Sequence, residues 1–147
     1  MEIIRKNITE VTKGIICHGV NCQGVMGSGV AKAIKEKWPI VYDSFKSMGK
    51  GAELLGQCHI LTIDEELYIA NCYSQEYYGR DGKRYACLSA VESSLRPVFL
   101  WASTLGLVIH SPMIGCGLGG LKWDDVSKIF EKLEKEYTYD AVVIHTL

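Results

Sequence analysis

Gly14-Ile-Ile-Cys-His-Gly-Val20, followed at once by Asn21-Cys-Gln-Gly24-Val-Met-Gly27-Ser-Gly29-Val30, is the stretch that decides the fold. Its first part is a largely apolar run of strand length, suited to a strand buried on both faces of a parallel sheet. Its second part is glycine-rich. Ser28 then opens a segment whose apolar positions Val30, Ala31, Ala33, Ile34 and Trp38 predict an amphipathic helix. Glycine lets the backbone turn sharply and lets a ligand approach its N–H groups. A helix N-terminus adds unpaired donors and a partial positive charge. The same arrangement recurs later: the strand-like Leu107 to His110 leads to Gly115-Cys-Gly117-Leu-Gly119-Gly120, and then to a helix over Asp124 to Glu136. One such loop suggests a phosphate site, and two suggest a cleft that holds a diphosphate from both sides.

Working outward, the pattern predicts a first strand at Glu2 to Arg5. A second helical piece runs from Ile40 to Met48, after Pro39 and before Gly49. Strands at Gln57 to Ile63 and Leu67 to Tyr73 are joined through Asp64-Glu65-Glu66. Glu76 to Lys83 reads as a loop. Ala86 to Leu105 reads as a long helix that Pro97 should kink or split, and Ala141 to Thr146 as a final strand. Val126, Ile129, Phe130 and Leu133 give the helix before it an apolar face. Strands alternating with helices predict a three-layer α/β/α domain over residues 1–147 with a mostly parallel sheet.

Composition narrows the function classes. The chain has 147 residues, 48% hydrophobic and 22% charged, with a formal net charge of −1. No basic block is present, so there is no strong nucleic-acid signal. A small anion held by backbone N–H groups remains compatible, because it needs no lysine. No apolar stretch has the length of a membrane span and the N-terminus lacks a signal-peptide pattern, so a cytoplasmic protein is expected. The six cysteines (Cys17, Cys22, Cys58, Cys72, Cys87 and Cys116) include no CxxC pair. They read as free thiols in a reducing compartment, and no metal is expected. The second loop matches GxGxxG, but only one helix and one strand follow it, which argues against a Rossmann unit. Neither loop carries the Gly-Lys-Ser/Thr of a Walker A motif.

Asn21-x-x-Gly-x-Met-Gly-x-Gly-Val resembles the first ligand loop of macrodomains, the ADP-ribose-binding modules. Ser111-Pro-Met-Ile-Gly-Cys-Gly-Leu-Gly-Gly-Leu-Lys-Trp123 resembles the diphosphate loop of the subgroup containing terminal ADP-ribose protein glycohydrolase. Asn7-Ile-Thr9 stands where macrodomains carry Gly-Asp-Ile-Thr, and the closing Val-Ile-His-Thr-Leu147 also resembles that subgroup. The resemblance implies a mixed, mostly parallel six-stranded sheet with an ADP-ribose cleft at its crest. It places Asn7 and the Ile8 backbone at the adenine, with a capping role as the alternative for Asn7. It places Asn21 at the distal ribose, with bonding to its own loop as the alternative. Gly27, Ser28, Gly29 and Val30 would line the distal ribose and diphosphate. Ile114, Gly115, Cys116, Gly117, Leu118 and Gly119 would wrap the diphosphate. His145 would lie near the adenine, or be a satisfied surface histidine.

Two departures matter. The glycohydrolase's lysine falls at Gln75 and its aspartate at Gly119, and neither residue can act as a nucleophilic amine or as an acid. A second subgroup, the ADP-ribose 1''-phosphate phosphatases, fits better. Its His-x-x-Asn-x-x-Gly-x-x-Gly-x-Gly pattern resembles His18 to Gly29, and its Leu-Leu-Gly-x-Cys segment resembles Leu54 to Cys58. Loops similar to Gln75-Glu-Tyr-Tyr-Gly-Arg-Asp81 occur in virus-encoded members, in which case the compartment would be the host cytoplasm. The resemblance implies hydrolysis of ADP-ribose 1''-phosphate without a cofactor, by a monomer. His18, Asn21 and Asp81 are the catalytic candidates, and Gln75 lies beside the ligand. A buried structural role for His18 and a turn role for Asp81 are the alternatives. Cys116 is a weaker candidate nucleophile. Removal of ADP-ribose from modified macromolecules and simple ADP-ribose reading are the alternative functions.

Overall fold

The computed structural model describes residues 1–147. Its six strands are β1 (Glu2–Arg5), β2 (Gly14–Asn21), β3 (Cys58–Thr62), β4 (Leu67–Gln75), β5 (Ile109–Ser111) and β6 (Val142–Thr146). They form one sheet in the order β1-β6-β5-β2-β4-β3. Only the β3–β4 pair is antiparallel. The helices are α1 (Gly29–Lys37), α2 (Pro39–Ser47), α3 (Leu88–Leu105) and α4 (Trp123–Tyr137), with short 3₁₀ turns at Ile8–Glu10 and Ala52–Leu54. A mixed six-stranded sheet between helical layers is the expected class.

β2 is central and buried along nearly its whole length, which is why its sequence is apolar rather than alternating. On one face Ile16, Val20, Ile69 and Tyr73 pack with Ile34 of α1 and Val41 and Phe45 of α2. On the other, Ile15, Cys17, Ala70 and Cys72 pack with Leu95 and Phe99 of α3 and Phe130 and Leu133 of α4. Burying each such large side chain contributes roughly 1.5–3 kcal/mol.

Three boundaries depart from expectation for local reasons. Pro39 starts α2 rather than preceding it, since a proline at the first helical position loses no hydrogen bond. Pro97 does not split α3, which runs unbroken from Leu88 to Leu105. The buried face formed by Leu95, Val98, Phe99 and Ala102 offsets the roughly 3 kcal/mol that an interior proline costs. The strand expected from Leu107 begins instead at Ile109, because the Leu107 N–H closes the end of α3 on the Ala102 carbonyl.

Candidate functional site

The parallel strands β5, β2 and β4 end side by side, and the segments that follow them enclose a cavity of about 640 Å³. Ligands of open α/β sheets bind at such strand ends. The first wall is the loop after β2 with the start of α1: Asn21, Gly27, Ser28, Gly29 and Val30 line it. The second is the loop after β5: Ile114, Gly115, Cys116, Gly117, Leu118 and Gly119 line it. Gln75, Tyr78, Gly79 and Arg80, following β4, complete it. The two glycine loops therefore meet across one space, as the sequence suggested.

The second loop is shaped for an anion. The N–H groups of Gly115, Gly117, Leu118 and Gly119 have no acceptor within the protein. Gly115 has φ +76, and a Cβ there would come within 2.8 Å of Leu121 Cδ1, so the turn admits only glycine without strain. Successive free N–H groups in such a turn form an anion-binding concavity. In the first loop, Ser28 sits at the N-cap of α1 but makes no capping bond, and no acidic residue occupies the first turn. The N-terminus of α1 thus faces the cavity uncapped. α4 differs, because Asp124 and Asp125 already complement its N-terminus.

Asn21 lines the cavity, but its amide holds its own loop. Oδ1 accepts from the N–H of Gln23 at 2.9 Å and of Val25 at 3.3 Å, and Nδ2 donates to the Val25 carbonyl at 2.8 Å. Gln75 Nε2 likewise donates to the Tyr77 carbonyl at 2.7 Å, bracing the third wall. Cys116 lies half-buried, and burial pushes its thiol up to about 11. It donates to the Ile114 carbonyl at 3.5 Å. It is therefore a neutral thiol at neutral pH rather than a nucleophilic thiolate.

Five expected residues lie outside this lining. His18 is fully buried on the α1/α2 face of the sheet, between Ile16 and Val20. Its Nε2–H donates to Asn71 Oδ1 at 2.6 Å, and burial lowers its pKa to about 4. This corrects the expectation that His18 could serve as an acid or base at the ligand. Asp81 is also displaced from the cavity and holds a turn: it accepts from the Lys83 N–H at 3.1 Å and the Tyr85 hydroxyl at 2.8 Å. Asn7 caps the 3₁₀ turn, accepting from the Thr9 N–H and hydroxyl. Ile8 is buried in the core. His145 donates from Nδ1 to the Lys6 carbonyl at 3.1 Å and accepts at Nε2 from His110 Nδ1 at 2.8 Å. Asn7 thus caps a turn, and His145, read as a surface histidine if not at the adenine, is instead buried with both ring nitrogens hydrogen-bonded.

The residue that sequence reasoning missed is Arg80. It is the one charged side chain that lines the cavity; no lysine, carboxylate or histidine does. Its signal was its place in a tyrosine- and glycine-containing loop directly after a strand end.

Comparison with known proteins agrees with this architecture. A DNA ADP-ribosyl glycohydrolase of Mycobacterium tuberculosis is 25% identical over 130 residues, covering 84% of this chain. The chain spans 36% of that relative's length. An ADP-ribose 1''-phosphate phosphatase of Meyerozyma guilliermondii is 21% identical over 147 residues, covering 80% of this chain and 83% of that protein. The solved macrodomain of Mycobacterium tuberculosis DarG shares the fold, with a TM-score of 0.79 at 19% identity over 99% of this chain and 97% of that one. The Macro domain family model matches residues 17–130, a span that includes both glycine loops and the cavity between them, and the chain belongs to that family.

Proposed function

We propose that this chain binds ADP-ribose in the cavity between its glycine loops and hydrolyses ADP-ribose 1''-phosphate to ADP-ribose and phosphate. The observation that carries the reading is the row of unpaired N–H groups at Gly115, Gly117, Leu118 and Gly119. Such a row suits a diphosphate, and the uncapped start of α1 adds donors from the opposite wall. The mycobacterial relative is a DNA ADP-ribosyl glycohydrolase and the yeast relative an ADP-ribose 1''-phosphate phosphatase, which accords with a diphosphate-bearing ligand here.

The choice of reaction follows from what lines the cavity. Attack on a sugar carbon by lysine is disfavoured with Gln75 and Gly119 at the two relevant positions. Attack of water on a phosphate ester requires no nucleophile from the protein. It needs positioning and stabilisation of charge on the phosphoryl oxygens more than covalent chemistry. In this reading the loops fix the diphosphate, and Asn21 holds the first wall in shape. The 147 residues act as one ligand-binding unit.

The test is incubation of the purified chain with ADP-ribose 1''-phosphate, with free phosphate followed over time. Saturable release is expected. Tight ADP-ribose binding by calorimetry without phosphate release would make the protein a reader, a reading favoured by the lack of an acid or base among the lining residues. Release of ADP-ribose from modified DNA or glutamate peptides would replace the phosphatase reading with ADP-ribosyl hydrolysis.

A further inference from the structure

Arg80 stands apart from the other cavity residues. Every other residue of the lining is neutral, and most of the contacts on offer are backbone groups. The nearest carboxylate in sequence, Asp81, is taken: Lys83 Nζ lies 3.8 Å from it, and the Lys83 N–H and Tyr85 hydroxyl donate to it. Arg80 itself is exposed and is left without an ion-pair partner.

Its backbone is nevertheless held. Tyr85 lies over Gly79, so closely that a Cβ at Gly79 would come within 2.4 Å of the Tyr85 hydroxyl oxygen. The same hydroxyl bonds Asp81 at 2.8 Å. Tyr85 therefore grips both neighbours of Arg80. Its own N–H donates to the Gly119 carbonyl at 2.8 Å, and the Ala86 N–H donates to the same oxygen at 2.9 Å. The arginine loop is thereby tied to the diphosphate loop. Strand order fixes which end of the cavity Arg80 serves. β4 lies beyond β2, on the side away from β5, β6 and β1. The β4 side of the cavity is thus the side away from β5, whose loop carries the free N–H groups, so Arg80 is available to an anionic group that those N–H groups do not hold.

We infer that Arg80 is a specificity-determining residue that selects ligands carrying a phosphate beyond the diphosphate, and that it contributes little to binding the diphosphate itself. The inference rests on the ADP-ribose reading above. A planar guanidinium can donate two parallel hydrogen bonds to phosphate oxygens, whereas an ammonium offers a point charge.

The test compares ADP-ribose with ADP-ribose 1''-phosphate as competitors of a fluorescent ADP-ribose derivative, read within seconds of mixing so that turnover does not intrude. The wild-type chain is expected to prefer the phosphorylated ligand by about tenfold. Arg80→Gln is expected to bring the ratio close to one while changing the ADP-ribose affinity by less than about twofold, and Arg80→Lys to give an intermediate ratio. A wild-type chain that binds ADP-ribose without preference, or an Arg80→Gln change that weakens both ligands by the same factor, overturns this inference and leaves the ADP-ribose reading standing. Binding of neither ligand by the wild-type chain overturns both.

Discussion

His18 and Asn21 lie three positions apart on β2, yet only Asn21 reaches the cavity. His18 is fully buried on the same face of β2 as Ile16 and Val20, and its neutral form is favoured there. A histidine ordinarily titrates near 6.5, while burial holds this one at about 4. Between those values the unfolded chain binds a proton that the folded chain does not. Its contribution is thus complete above about pH 6.5 and is lost as pH falls towards 4, a difference of about 3 kcal/mol. Urea denaturation at pH 7.5 and pH 5 should show wild-type stability falling on acidification. His18→Gln, which can still donate to Asn71, should show a smaller fall. An equal fall in both proteins would mean that His18 does not carry this dependence. The sequence offered the His-x-x-Asn spacing but not the face to which each side chain turns. That depends on which helices cover the sheet.

The second glycine loop is an element in its own right, and its glycines are not equivalent. A Cβ at Gly119 would lie 2.6 Å from the Gly115 carbonyl oxygen and 2.9 Å from the Ala86 Cβ, whereas one at Gly117 meets nothing within 4 Å. Gly119→Ala should therefore cost roughly 1–3 kcal/mol, the usual range for forcing atoms into a packed site, and Gly117→Ala should cost far less. Thermal melts of the two variants without ligand check this, and equal melting temperatures would sink it. The same crowding bears on any other residue at this position, because a side chain here would have to move Gly115 or Ala86. The loops themselves were legible in the sequence because a glycine turn between strand and helix is a local pattern. Arg80 was less so. Its place depends on Tyr85 and Ala86 bonding Gly119, a contact between segments far apart in the chain. Asn7 shows a different ambiguity: its neighbour Thr9 supplies two donors, and the resulting cap is as local a pattern as the ligand contact it was weighed against.

At the scale of the whole molecule, the sheet carries a core on each face, and each core reaches the cavity at one residue, Val20 on one face and Ile114 on the other. This division explains why the fold class could be read from apolar periodicity while the reaction could not. Periodicity reports on the cores, and most of the residues lining the cavity belong to neither. It also separates rigid support from the binding surface. The walls hang from β2, β4 and β5, three adjacent parallel strands whose positions the cores fix.

One consequence concerns ionic strength. A ligand held mainly by peptide N–H groups displaces few counterions, and its affinity should vary little with salt. Arg80 is the exception, because an exposed charge is screened within about 10 Å at 0.1 M salt. Raising salt from about 50 mM to about 0.5 M should leave ADP-ribose binding within about threefold while eroding the preference for its phosphorylated form. Equal loss of affinity for both ligands would show that the backbone cradle is not what holds them. With the expected outcome, the cavity combines two kinds of recognition in one space: an anchor indifferent to the surrounding electrolyte, and a discriminator that the electrolyte can tune.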